Sequence, residues 1–232
     1  MLSPKYYLED FLGLLFPNLC NACGTSLFRG EDLICLHCLH HLPYTDYHLH
    51  FDNRVAKQLW GRMEFEAAMA MLYFRKGASI QNLMHNLKYN QRTDVGLLLG
   101  RLLGDKLLES ALYKGIDFIV PVPLHAKRLK TRGYNQSTFI AMGVAEKLGA
   151  TVNEDLLQRT TYTDSQTKKN RYNRYENMKD VFSVKNSESL LNKHVLLVDD
   201  VITTGATIEA CANALTKGGA VKISIATLAF AD

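Results

Sequence analysis

No stretch of this 232-residue sequence is apolar for long enough to cross a bilayer, which excludes a transmembrane helix. A surplus of one charge is also missing. Lys and Arg number 27 against 23 Asp and Glu, and the formal charge of +4 is too small by itself to mark a nucleic-acid binder. Internal repeats and low-complexity tracts are absent, so neither a solenoid nor a biased linker is expected. A secretory leader is not expected either: Glu9 and Asp10 interrupt the apolar residues 4–16, and no small-residue cleavage pattern follows. The expected location is the cytoplasm. What the sequence has in plenty is apolar side chains, 47% of the total, enough for a full core. The expected layout is a small N-terminal part, 1–62, and one main domain, 63–232.

The stretch 194–207 organises the main domain. Val195 to Val198 are four apolar residues in a row and read as a strand buried on both faces of a parallel sheet. Asp199 and Asp200 follow together. Neighbouring side chains of a continuing strand point to opposite faces, so the pair is expected to serve one ligand by the strand stopping there and the chain turning. Thr203, Thr204, Gly205, Ala206 and Thr207 supply the turn, and the apolar pattern from Ile208 starts a helix whose free N–H groups face the loop. An anion cradle beside two acids suits a sugar phosphate, with N–H groups on the phosphate and carboxylates on hydroxyls or a metal.

Leu2 to Phe16 has the apolar spacing of a short helix ended by Pro17. Cys20 and Cys23, then Cys35 and Cys38, form two CxxC pairs. Two such pairs place four thiolates where two tight turns converge on one Zn²⁺, and four sulphurs leave no open position, so the metal is expected to be structural. His37, His40 and His41 crowd the second pair and are read as solvated or supporting side chains. Residues 43–62 read as a connector. Glu64–Phe74 reads as a strand, Ile80–Leu87 as a one-sided helix with Lys88 and Tyr89 at its end, and Val95–Leu112 as a Leu-rich helix. Ile116–Val122 reads as a strand stopped by Pro121 and Pro123. Ser137–Leu148 and 208–217 read as helices and Val221–Phe230 as the last strand. Cys211 reads as inert core.

No acid occurs between Pro121 and Ala145, where Lys127, Arg128, Lys130 and Arg132 follow the strand end. Four cations without counter-charge at that place read as a loop for an anion larger than one phosphate. Residues 159–177 hold Gln166, Lys168, Lys169, Arg171 and Arg174 with Tyr162, Tyr172 and Tyr175. Nothing there builds a core, and a polar stretch of that length reads as a lid. Cations interleaved with tyrosines equally suit single-stranded nucleic acid, with phosphate neutralised and bases stacked.

The run Val195–Thr207 resembles the phosphoribosyl-pyrophosphate (PRPP) signature of the type I phosphoribosyltransferases. Together with the four cysteines, Lys88-Tyr89, Val120 to His125, Arg128 and Arg132 to Gln136, it makes nearly the whole chain similar to the ComF family. Gln166, Arg174 and Asn177 match that family's mobile segment, whereas Lys169 stands where the family carries a Leu. The resemblance implies an α/β fold, a parallel sheet flanked by helices with ligand at the strands' C-terminal ends. It implies Asp199 and Asp200 on the ribose hydroxyls, Thr203–Thr207 around the 5-phosphate, and Lys88, Arg128 and the 123–132 loop on pyrophosphate with Mg²⁺. It further implies transfer of the phosphoribosyl group to an unknown nitrogen acceptor. The alternative is a non-catalytic competence protein for DNA uptake, with PRPP as a regulatory ligand and a competence helicase as partner. Hypoxanthine-type enzymes carry a purine-contacting Asp where this chain has Thr203, and the motif holds no obvious general base.

Overall fold

Val195 to Val198 are fully buried because strands cover them on both edges and helices on both faces. The computed structural model describes residues 16–74, 79–159 and 181–231. The expected N-terminal helix, Phe16 apart, and the expected lid from residue 160 onward lie outside the described residues.

In chain order the elements are α1 (Leu36–His40), α2 (Arg54–Leu59), β1 (Ala67–Tyr73), α3 (Ser79–Tyr89), α4 (Thr93–Leu108), β2 (Phe118–Pro121), α5 (Ala126–Arg132), α6 (Gln136–Leu148), β3 (Thr151–Val152), β4 (Leu157–Arg159), β5 (Phe182–Val184), β6 (His194–Ile202), α7 (Ala206–Lys217) and β7 (Lys222–Phe230). The main sheet runs β1-β7-β6-β2-β3, every pairing parallel, and β4 and β5 form a separate antiparallel pair. Parallel neighbours need crossovers, and the intervening helices cover the sheet and bury its strands as apolar runs. Among the described residues no helix is long and apolar enough to cross a membrane.

Three expectations are corrected here. The strand does not stop at the acids: β6 runs through Asp199 and Asp200 to Ile202, because β7 continues beside it to the register Ile202↔Phe230. On the other edge β2 ends at Pro121 opposite Val198, so the last residues of β6 project past their neighbour. The cationic segment is not all loop. Residues 126–132 form α5, started by the His125 Nδ1 atom accepting the Lys127 N–H at 3.2 Å and ended by Gly133 at φ +83°. The Leu-rich helix ends at Leu108 rather than Leu112, with a 3₁₀ turn at Ala111–Tyr113.

The connector 43–62 holds α2, whose start is capped by Asn53. The Asn53 amide also donates to Ala68 O at 2.7 Å, and the Thr45 hydroxyl donates to Ala70 O at 2.6 Å. The segment is thereby sewn onto β1. On the far side, α4 and α6 cross at backbone contact: a Cβ on Gly100 would stand 2.2 Å from Ile140 O, and one on Gly143 would stand 2.3 Å from Leu97 O. Those two positions take no larger residue without parting the helices that carry Asn135 to Ser137 toward the acids.

Candidate functional site

Both acids meet the first turn of α6. The Ser137 hydroxyl donates to Asp199 Oδ1 at 2.9 Å, and the Gln136 amide donates to Asp200 Oδ2 at 3.1 Å. Asn135 aims this turn by capping it, accepting the Ser137 N–H at 3.2 Å and donating to Val122 O at 3.0 Å. Lys88, at the end of α3, sits 2.8 Å from Asp200 Oδ2. One fixed cation thus faces two carboxylates. Burial first, and then the charge of Asp200, push Asp199 up to about 7. A site that holds a carboxyl so far above its ordinary range stores demand for a further cation or for hydrogen-bond donors.

The loop after β6 is backed by residues that sequence reading passed over. Gln58 donates its amide to Thr203 O, and Arg62 donates to Thr204 O at 2.6 Å while its Nε bonds Glu209 at 2.9 Å. Gly205 lies at φ +74°, a conformation that demands glycine, and a Cβ there would come within 2.8 Å of Leu59 Cδ2 and push that side chain aside. The loop's carbonyls are turned outward onto α2 and its continuation. Gly205 offers α7 no side-chain cap; Thr204 Oγ1 accepts the Ala206 N–H at 3.5 Å, and the N–H groups of Thr207 and Ile208 are left to a ligand or water.

These parts converge. A cleft of about 480 Å³ is lined by Lys88, Arg128, Gln136, Ser137, Asp199, Asp200, Thr203 and Thr207 among others. A second cavity of about 530 Å³ continues from it through Lys88, Tyr89 and Arg128 and adds Lys127, Arg132 and Tyr134. Among the described residues no acid lines this second cavity. Arg132 lies over the Tyr89 ring, 5.6 Å from its centroid, and Tyr134 donates its hydroxyl to Leu87 O. Of the expected site residues, Lys88, Arg128, Asp199, Asp200, Thr203 and Thr207 line the cleft. Thr204, Gly205 and Ala206 build the loop beside it. Gln166, Lys168, Lys169, Arg171, Tyr172, Arg174 and Tyr175 lie outside the described residues. Gln136 and Ser137 were not expected, although their place just after an acid-free cationic stretch at a strand's C-terminal end was a usable signal.

The four cysteines come together: the sulphurs of Cys20, Cys23, Cys35 and Cys38 all lie within 4.8 Å of one another, and Cys23 Sγ is 3.8 Å from Cys35 Sγ. A tetrahedron with metal–sulphur bonds of ~2.3 Å has edges of ~3.8 Å, so the spacing fits a metal ion. Cys20 Sγ accepts the N–H groups of Ala22 and Cys35 at 3.4 and 3.3 Å, and Cys35 Sγ accepts that of Cys38 at 3.4 Å. Burial pushes the Cys38 thiol up. Thr25 holds Cys23 down at about 6. His37 stacks on His41 with centroids 4.3 Å apart, and His41 bonds the His37 carbonyl. Among the described residues the histidines join no metal cluster. Cys211 is fully buried and its thiol is pushed up by burial, as inert core requires.

Residues 125–232 match the phosphoribosyl transferase domain family. The chain is 28% identical over 211 residues to the DNA utilization protein YhgH of Escherichia coli, covering 89% of this chain and 88% of the relative. It is 28% identical over 216 residues to Competence protein F of Haemophilus influenzae, covering 91% and 90%. Against a glutamine phosphoribosylpyrophosphate amidotransferase from B. subtilis, solved with ADP and GMP, the overlay spans 62% of this chain and 30% of that one. Its TM-score is 0.44 and its identity 21%.

Proposed function

We propose that this chain, which carries a phosphoribosyl transferase domain and is a relative of competence protein F, binds PRPP and transfers its phosphoribosyl group to a nitrogen acceptor. The observation that carries the reading is the convergence, in one cleft, of an under-neutralised Asp pair, the threonine and glycine turn at the N-terminus of α7, and the cations Lys88 and Arg128. Asp199 and Asp200 take the ribose hydroxyls, and the loop 203–207 takes the 5-phosphate on N–H and hydroxyl groups. Lys88 and Arg128 take pyrophosphate.

Mg²⁺ fits this site, because two neighbouring carboxylates share a single lysine and a hard cation prefers carboxylate and phosphate oxygens. Asp199 and Asp200 would hold it, and it would supply positive charge to the departing pyrophosphate. The chain's own part is electrostatic and positional. Lys88 and Arg128 stabilise charge as pyrophosphate departs, while the acids stabilise the ribose ring as it becomes positive. In this reading the cysteine cluster holds a structural Zn²⁺. Incubation with Mg²⁺ and PRPP over a panel of amines and nucleobases is expected to release pyrophosphate with at least one acceptor. PRPP binding without turnover on any acceptor would leave a binding protein, and absence of PRPP binding would refute the site.

A second reading is favoured by the cavity that continues from the cleft and that no acid lines among the described residues. Lys88, Lys127, Arg128 and Arg132 form a cationic groove beside Tyr89, which is 67% exposed with Arg132 over its ring, and cations beside an exposed aromatic suit single-stranded nucleic acid. The relatives' names, DNA utilization and competence, accord with it. Four phosphate contacts give an expected slope of log affinity against log salt near about −3, at ~0.7 per contact. Anisotropy of a labelled oligonucleotide across a salt series measures the slope. No binding at low salt would remove this reading.

A further inference from the structure

Helix α3 touches three things at once. Ile80, Leu83, Met84 and Leu87 bury one face in the core. Lys88 faces Asp200. The third face meets the first cysteine turn: the Asn82 amide donates to Ala22 O at 2.7 Å, and the Asn86 amide donates to Asn21 O at 3.0 Å. These asparagines are four residues apart and so fall on one stripe of the helix. Both accepting carbonyls lie between Cys20 and Cys23, and Asn21 itself is buried and donates to Leu33 O at 2.8 Å, near the second pair. His85 lines both the PRPP cleft and the small cavity, about 220 Å³, between α3 and the cysteine turn. Nothing in the transfer chemistry uses Asn82 or Asn86.

We propose that Asn82 and Asn86 are positioning residues, fixing α3 to the first cysteine turn so that Lys88 stands at the Asp pair, and that PRPP affinity therefore depends on the metal-held turn. The inference rests on the PRPP reading above. Two amide–carbonyl bonds add to the burial of Leu83 and Leu87 in fixing the rotation and axial place of the helix near its end, from which Lys88 reaches Asp200. The carbonyls they grip are themselves set by the cysteine that precedes each turn, because Cys20 Sγ accepts the Ala22 N–H. Without a metal on the sulphurs, the turn that offers those carbonyls is tied to the second cysteine pair by hydrogen bonds alone, from Asn21 to Leu33 O and from the Cys35 N–H to Cys20 Sγ.

Calorimetric titration of PRPP with Mg²⁺ tests this on four zinc-loaded proteins: the parent, Asn82→Ala with Asn86→Ala, Lys88→Ala, and all three changes together. The asparagine pair is expected to weaken PRPP about fivefold or more, the worth of roughly one hydrogen bond passed on to the site. In the Lys88→Ala background the same changes are expected to add nothing, since residues acting through one partner are not additive. Metal content stays near about one equivalent throughout. Removal of zinc with a chelator is expected to weaken PRPP in the parent and not in Lys88→Ala. Unchanged affinity in the asparagine variant, or losses that add independently of Lys88, would overturn the inference while leaving PRPP binding in place. A parent that fails to bind PRPP would overturn the functional reading and this inference with it. Should the double variant fold poorly, Asn82→Ala and Asn86→Ala taken singly run the same cycle.

Discussion

Asp199→Asn combined with Asp200→Asn is expected to reduce PRPP affinity by about a hundredfold or more while the domain stays folded. Each carboxylate offers charge-assisted contacts worth about 1.5–3 kcal/mol, and losing two such contacts exceeds the ~2.7 kcal/mol that a hundredfold represents. Stability should not follow affinity. Asp199 is raised to about 7 in the folded protein, by burial and by Asp200, against about 3.9 in an unfolded chain. An acid whose folded value is raised binds its proton more tightly when folded. It therefore costs stability as pH rises from about 4, and the whole cost is present above about 7. Asparagine keeps the shape and removes that cost, so Asp199→Asn alone should melt no lower than the parent at pH 8. Calorimetric titration reads the binding and thermal melts at pH 5 and pH 8 read the stability. Equal PRPP affinity in variant and parent would move the site elsewhere, and a large fall in melting temperature would make Asp199 a structural residue.

The same electrostatics explains which features the sequence disclosed. β6 was legible because a strand buried on both faces is written as an unbroken apolar run, and two acids at the end of such a run have no place in a core. The four cysteines were legible because close spacing constrains metal geometry locally. What escaped was set by distant or faceless contacts. Helix α5 buries no residue, so it has no apolar period to detect. Helix α2 is only six residues long and sits among mixed polar and aromatic residues. Gln58 and Arg62 reach the 203–205 loop from more than 140 positions away, and nothing in their own neighbourhood marks them. Two adjacent acids on a continuing strand should part to opposite faces. They share one site because Gln136 and Ser137, adjacent in the first turn of α6, each reach one of them, and that cannot be read from the acids' spacing.

Cys35→Ser together with Cys38→Ser is expected to leave less than about half an equivalent of zinc after anaerobic preparation, because two remaining thiolates cannot close a tetrahedral site. The consequence should extend past the metal. Within residues 20–42 the buried apolar side chains besides the cysteines are Ala22, Ile34 and Leu42, and metal-binding energy in such small folds is folding energy. A loss of several kcal/mol at this end should lower the melting temperature by about 10 °C, at roughly 2–4 °C per kcal/mol for a chain of this size. Cys211→Ser is the matched control. Its thiol is fully buried in α7 and belongs to no cysteine cluster, so that variant should lose some stability but keep its zinc. Metal analysis with parallel melting curves separates the two. Full zinc retention in the Cys35→Ser, Cys38→Ser protein, or equal zinc loss in Cys211→Ser, would show that the four-sulphur cluster is not where the metal is held.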